Sequence, residues 1–231
     1  MSTPFDSAQD LADAPHQASR MRPRDAATLI VVNRQAQPAV LMGRRAAGLA
    51  FMASKWVFPG GRLERTDFTA PAEGTLSPAC LSRLALAPRR ARALAMAAVR
   101  ETFEETGHRL ARPAPSRPSP RGWDGFYEAG CAPDLGALRF IARAITPPGR
   151  TRRFDARFFM ADADALLARD RRAPSSELED VAWIPLDEAR KLDLPAITRF
   201  VLGEVEARLA SPDRPVPFVR WQAGRHRIEP L

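Results

Sequence analysis

At 231 residues and 45% hydrophobic composition, the chain can bury one substantial core, which excludes a disordered protein and fits a single domain. Its formal charge of +8 is an arginine charge, since Lys55 and Lys191 are the only lysines among 35 basic residues. The arginines are scattered, and no helix-turn-helix, zinc-finger or aromatic stacking signature accompanies them; nucleic acid is not expected as the main partner, and a solvated basic surface is.

Residues 1–24 are polar, carry Asp6, Asp10 and Asp13, and lack apolar periodicity, as expected of a flexible N-terminal arm rather than a signal peptide. The ordered domain is expected over residues 25–211. Residues 26–32 and 39–45 alternate as two strands around a polar turn, the simplest arrangement being a hairpin. Lys55-Trp56-Val57-Phe58 is a short strand stopped by Pro59-Gly60-Gly61, where the missing side chains permit unusual dihedrals or close backbone approach. Breakers at Pro71, Gly74, Pro78 and Pro88 loosen the pattern before a helix over residues 89–106, with Met96, Val99 and Phe103 on one apolar face and Gly107 as its stop. Residues 111–120 are proline-rich and read as irregular, followed by a short helix near Trp123. Two strands over residues 138–145 and 153–160, a last strand at 181–185, and helices over 186–191 and 195–209 complete a one-domain α/β reading. Residues 212–231 read as a C-terminal tail. Cys80 and Cys131 have no Cys or His companions, which fits two reduced thiols in a cytoplasmic protein, and no apolar run is long enough to span a bilayer.

Within the long helix, Glu101, Glu104 and Glu105 stand at i, i+3 and i+4, so three carboxylates crowd one side, roughly opposite Met96, Val99 and Phe103. A solvated acidic face is the ordinary reading of such a cluster. Two neighbours point to chemistry instead. The Gly60-Gly61 turn can present a backbone carbonyl, and carboxylate and carbonyl oxygens together suit Mg²⁺ or Mn²⁺. Arg100 can pin one glutamate by a charge-assisted hydrogen bond.

These residues resemble the Nudix box, Gly-x5-Glu-x7-Arg-Glu-U-x-Glu-Glu-x-Gly-U with U a bulky aliphatic residue. Arg100, Glu101, Phe103, Glu104, Glu105 and Gly107 fall in register with its second half. Counted from Gly61, the first glutamate of the box falls on Asp67, and 32 residues instead of seven separate it from Arg100, an insertion of 25 residues at about 68–92. The last bulky position is His108, read as a helix-end residue contacting the terminal carbonyls. The resemblance implies a Nudix-type α/β/α sandwich with a mixed β-sheet and hydrolysis of a small-molecule diphosphate. Glu101, Glu104, Glu105 and Gly61 are then the expected metal ligands, with Arg100 beside them.

A long insert at this place is similar to the acyl-coenzyme A diphosphatase branch. Phe58-Pro59-Gly60-Gly61-Arg62-Leu63-Glu64, Thr146-Pro147 and Arg153-Phe154-Asp155 followed by Phe158-Phe159 resemble it too, so the likeness spans roughly residues 25–209. Arg153 and Asp155 could form a cross-strand ion pair, and their role stays open. Leu41, Arg45, Leu49 and residues 58–61 match the coenzyme A-directed signature, whereas Met52, Ser54 and Lys55 replace its His, Gly and Gln. Arg44, Arg45 and Lys55 are candidate phosphate contacts, or a basic strand edge. Residues 175–186 resemble the segment where an acidic loop precedes a Trp-containing strand, making Glu177 and Glu179 candidates for metal assistance or proton transfer, with Trp183 filling core. The substrate alternatives are another nucleoside diphosphate derivative, such as ADP-ribose or NADH; a non-catalytic ligand sensor is the reading from a different class. The insert and residues 111–120 could cover the site, restrict substrate or form a homodimer contact.

Overall fold

The computed structural model describes residues 4–13, 21–49, 52–167 and 177–231. Parts of the expected arm (1–3 and 14–20), Arg171, Arg172, Ser175 and Ser176 lie outside the described residues.

The first helix, α1 (Ser7–Ala12), falls inside the stretch expected to be a flexible arm. Asp6 caps it by accepting the Gln9 N–H at 2.9 Å. The Gln9 amide donates to the Leu194 carbonyl, the Asp13 carboxylate accepts the Ala196 N–H at 2.7 Å, and Phe5 packs edge-on against Phe200. The polar residues that suggested an arm are therefore the cap and the tethers of a docked helix.

The strands and helices that follow are β1 (Arg24–Asn33), β2 (Ala39–Arg45), β3 (Trp56–Val57), β4 (Gly60–Arg62), α2 (Pro78–Leu84), α3 (Pro88–Thr106), β5 (Ala111–Pro113), β6 (Cys131–Pro133), β7 (Arg139–Ile145), β8 (Phe154–Asp162), β9 (Leu178–Pro185), α4 (Leu186–Ala189), α5 (Ala196–Ala210), β10 (Pro217–Gln222) and β11 (Arg225–Pro230). Among the described residues, nine strands form one mixed sheet in the order β11-β10-β7-β8-β1-β2-β3, with β4 beside β1 and β9 beside β2. β1 and β2 pair antiparallel as expected of a hairpin, and β1 runs parallel to β8 from Arg24 opposite Phe154 to Val32 opposite Asp162.

Because successive side chains on a strand point to opposite faces, the central strands split the core in two. Ala27, Leu29, Val31, Leu41, Phe140 and Phe159 face one layer, with α2 and α3. Ile30, Val32, Val40, Met42, Phe158 and Met160 face the other, with α5. The expected α/β/α arrangement with a mixed sheet is thus the observed one. Helix α3 is buried on more sides than its amphipathic pattern implies, because Ala70, Leu76, Leu84, Trp123, Phe126 and Leu135 cover the side turned away from the sheet. Its run of alanines favours the helix and lets both layers approach closely.

Three further expectations are corrected. Residues 111–113 of the proline-rich stretch form a strand paired with β6, and the short helix near Trp123 is one 3₁₀ turn at Tyr127–Ala129. The expected tail is the hairpin β10-β11, whose first strand adds parallel to β7. Its turn uses Ala223 and Gly224 at φ 50° and 78°, the paired positive dihedrals that a tight hairpin requires.

Trp123 is fully buried against Phe126 and Tyr127 at centroid distances of 5.3 and 5.7 Å. Trp123→Ala should remove about 3–5 kcal/mol of stability, read from urea unfolding, through the cavity it leaves over α3.

Candidate active site

The site is assembled where β4 passes between β1 and α3. Gly60 and Gly61 both lack positive φ, so close approach rather than an unusual turn is what calls for glycine. A Cβ on Gly60 would meet the Ala27 carbonyl oxygen at 2.7 Å and the Thr28 Cα at 2.8 Å, while one on Gly61 would meet the Glu101 carboxylate at 2.3–2.5 Å. The Gly60 N–H donates to Glu105 Oε2 at 2.9 Å. One glycine thus seats the strand on β1, and the other lets Glu101 lie against the backbone.

Arg100 is the hub. Its guanidinium is 2% exposed and grips Asp67 in a two-pronged ion pair, Nε to Oδ1 at 2.9 Å and Nη2 to Oδ2 at 3.1 Å. Nη2 also donates to the Arg62 carbonyl, and Nη1 lies 3.0 Å from Glu101 Oε1 and 3.1 Å from Glu104 Oε2. Asp67 in turn accepts the Glu64 N–H at 2.8 Å. Burial works against the Arg100 charge, but the Asp67 bonds and the neighbouring glutamates outweigh it and hold the guanidinium above its ordinary proton affinity.

The glutamates carry the opposite strain. Burial pushes Glu101 up to about 7, with Glu104 and Glu177 adding to the rise against the pull of Arg100. Burial, then Glu101 and Glu177, push Glu105 well above the carboxylate range despite the Gly60 N–H and Arg45. Glu104 is raised by burial, with Glu64 and Asp67 contributing against Arg100. This is an anionic pocket that a cation would relieve.

One oxygen of each glutamate is engaged by Arg100 or Gly60, and the other has no protein hydrogen-bond donor among the described residues. Oxygen donors of this kind suit Mg²⁺ or Mn²⁺. Among the described residues no three acidic, His or Cys side chains close into a cage around one point.

A cleft of about 660 Å³ opens beside the hub, lined by Gly61, Glu64, Glu101 and Glu104 and by Arg45 and Glu177. The other candidates lie apart. Arg44 is turned to Asp180, at 2.6 Å, and to Glu179, at 3.8 Å, its neighbour across β2 and β9. Lys55 binds Asp193 at 2.6 Å and reaches Asp13 at 3.7 Å. Strand alternation places Arg45 on the cleft side and Arg44 away from it.

Arg153 and Asp155 do not pair with one another. Asp155 holds Arg143 and Arg157, and Arg153 donates to the Thr146 and Met21 carbonyls on the cleft wall. His108 contacts the Thr106 carbonyl at 3.2 Å as a helix-end residue, and its ring meets Trp183 edge-on. Two site residues were not singled out from sequence. Asp67, at the box position of the first glutamate, is the anchor of Arg100, and Glu64, the last residue of the Phe58–Glu64 likeness, joins Glu101, Glu104 and Glu177 in the cleft lining.

Gly60→Ala should destabilise the fold through a backbone clash, whereas Gly61→Ala meets only the movable end of Glu101. The second variant should keep its circular dichroism spectrum and melting temperature within a few degrees, yet lose Mn²⁺ affinity in calorimetric titration. Glu101 has a folded proton affinity above its unfolded one, so its favourable contribution is complete below about 4.5 and is lost as pH rises through about 7. Denaturant unfolding should therefore show the metal-free protein losing more stability between pH 5 and 8 than Glu101→Gln does.

Neither a protein-family model nor a curated protein matches the chain. Solved structures do. A Nudix hydrolase from Alicyclobacillus acidocaldarius is 28% identical, with a TM-score of 0.63 over 84% of this chain and 98% of the other. The Nudix domain of Shewanella oneidensis NrtR shares the fold at 14% identity, with a TM-score of 0.50 over 87% of this chain and 97% of that one. The sandwich, the match over nearly the whole of the Alicyclobacillus chain and the Arg100-to-Glu105 cluster beside Gly61 together make this chain similar to the Nudix hydrolases in fold and in the arrangement of the site.

Proposed function

We propose that the chain hydrolyses the diphosphate of coenzyme A or an acyl-coenzyme A, releasing 4′-phosphopantetheine or its acyl form and adenosine 3′,5′-bisphosphate. The observation that carries the substrate is the composition of the cleft. It joins Glu64, Glu101, Glu104 and Glu177 to exposed Arg24, Arg62 and Arg152, none of which has an acidic partner among the described residues, and to an apolar wall of Phe5, Met52, Val57, Phe58 and Ile197. Coenzyme A carries a third phosphate for such arginines and a pantetheine arm for such a wall. ADP-ribose has neither. The split box, with 32 residues between Asp67 and Arg100, supports the same branch.

A divalent cation, Mg²⁺ or Mn²⁺, would be held by Glu101, Glu104, Glu105 and the Gly61 carbonyl, and would supply charge neutralisation on the diphosphate and acidification of water. The remaining work falls to the chain. Arg100 fixes Glu101 and Glu104 and draws Asp67 beneath them. A carboxylate of the cluster accepts the proton of the attacking water, whose oxygen bonds to phosphorus as the P–O–P bond breaks. Glu177 faces the same cleft and adds negative charge beside Glu101 and Glu105, in keeping with a role in that proton transfer.

The other substrate reading comes from the Shewanella NrtR Nudix domain, solved in complex with ADP ribose. Purified protein with Mg²⁺ or Mn²⁺ should cleave coenzyme A or an acyl-coenzyme A faster than ADP-ribose or NADH, as resolved by product chromatography. Faster cleavage of ADP-ribose would move the assignment to that substrate, and tight binding without turnover across the panel would make the chain a sensor. Glu104→Gln/Glu105→Gln should stay folded and lose at least a hundredfold in kcat; unaltered turnover in it would reject the cluster as the catalytic site.

A further inference from the structure

Away from the cleft, a second cavity of about 210 Å³ lies between α2, the start of β7 and the end of α5. Its wall includes Arg83, Arg139 and Arg208, with Cys80 and Asp213 beside them. Arg208 is 2% exposed. Its Nη atoms donate to the carbonyls of Pro212, Arg214, Ile141 and Pro215, at 2.7–3.3 Å, while its buried Nε has no hydrogen-bond partner. Arg139 is exposed and makes no ion pair among the described residues, and Arg83 reaches only the Asp213 carbonyl, at 3.5 Å. The opposing acidic residues are Asp213, in the cavity lining, and Glu204. Glu204 lies 3.9 Å from Arg208 and is shared with Arg214 at 3.1 Å. Burial holds Arg208 below its ordinary proton affinity, and Arg214 and Arg83 add to this against Glu204.

We propose that this cavity is a binding site for a small tetrahedral oxyanion, with inorganic phosphate as the fitting ligand. Arg83, Arg139 and the positive charge of Arg208 line a chamber below the roughly 300–1,000 Å³ usual for larger organic ligands, so a nucleotide is excluded by size. Planar guanidinium forks match phosphate oxygens, and Arg83 and Arg139, which have no acidic partner among the described residues, have donors left to meet them. Burial pushes the Cys80 thiol up, which keeps it neutral and unopposed to an anion. The site is distinct from the catalytic cleft. Strand β7 begins at Arg139 in the cavity and reaches Ala144 in the cleft wall, roughly 17 Å at the rise of an extended strand. A bound anion ties α2 to the end of α5.

Titration of the full chain with sodium phosphate at constant ionic strength and without divalent metal, followed by calorimetry and ³¹P resonance, tests the site. Saturable binding is expected, with sulfate competing and acetate not. Arg83→Ala/Arg139→Ala should weaken it at least tenfold, while Arg225→Ala/Arg227→Ala on the exposed strand β11 leaves it unchanged. Arg208 is too deeply bonded to serve as the variant, and Arg139→Gln alone, on the surface, provides a second test should the double variant misfold. The proposal is overturned by an absence of saturable binding, by equal competition from acetate, by unchanged affinity in the cavity variants, or by an equal loss in the β11 variant.

Discussion

The Arg100–Asp67 ion pair is the constraint on which the site depends. Buried ion pairs contribute little net stability, because desolvation offsets their attraction, but removing one partner costs about 3–5 kcal/mol. Here the pair fixes geometry. Asp67 orients the guanidinium, the guanidinium orients Glu101 and Glu104, and its bond to the Arg62 carbonyl ties β4 to α3. Residues 33 positions apart thus become a single unit. A chain of 32 residues can lie between them without disturbing it, since what the chemistry requires is the closed contact and not the sequence spacing.

That contact explains both what could be read from the sequence and what could not. Helix α3 was legible because several local signals agreed: three glutamates at helical spacing, apolar residues three and four apart, and Gly107 in the left-handed cap position at φ 75°. The strands were legible by alternation. The glycine pair was legible as a place of close approach, but whether each glycine served strand packing or the carboxylate depends on what lies across from it. For Arg44 and Arg45 the residue type was the same and the side differed, and adjacent strand residues necessarily face opposite ways.

Other features were hidden because their partners are remote. The Asp residues of α1 resemble those of a solvated arm, and only the docked helix shows Asp13 accepting from Ala196 and Asp10 beside Arg150 and His226. The C-terminal hairpin turns on Ala223-Gly224, a weaker signal than Asn-Gly, and its exposed outer strand offers little apolar alternation. Arg153 and Asp155 stood two apart on one strand, which places them on the same face yet says nothing of the carbonyls and arginines that claim each of them.

The arginine excess has a structural meaning beyond surface charge. Arg100, Arg150, Arg157 and Arg208 are all buried to 2% exposure, and each spends its donors on backbone carbonyls or carboxylates. Five fixed N–H donors make guanidinium a good closure for irregular backbone that no strand or helix satisfies. Arg150 holds the carbonyls of Asp10 and Leu11 in this way, which carries α1 to the cleft wall, and Arg208 gathers the turn after α5. The same property that lets arginine close loops leaves an unused donor where the carbonyls run out, as at Arg208 Nε. Composition alone could not separate the two kinds of arginine. Burial does, and it separates these closures from arginines such as Arg24, Arg62 and Arg152, exposed on the cleft without an acidic partner among the described residues.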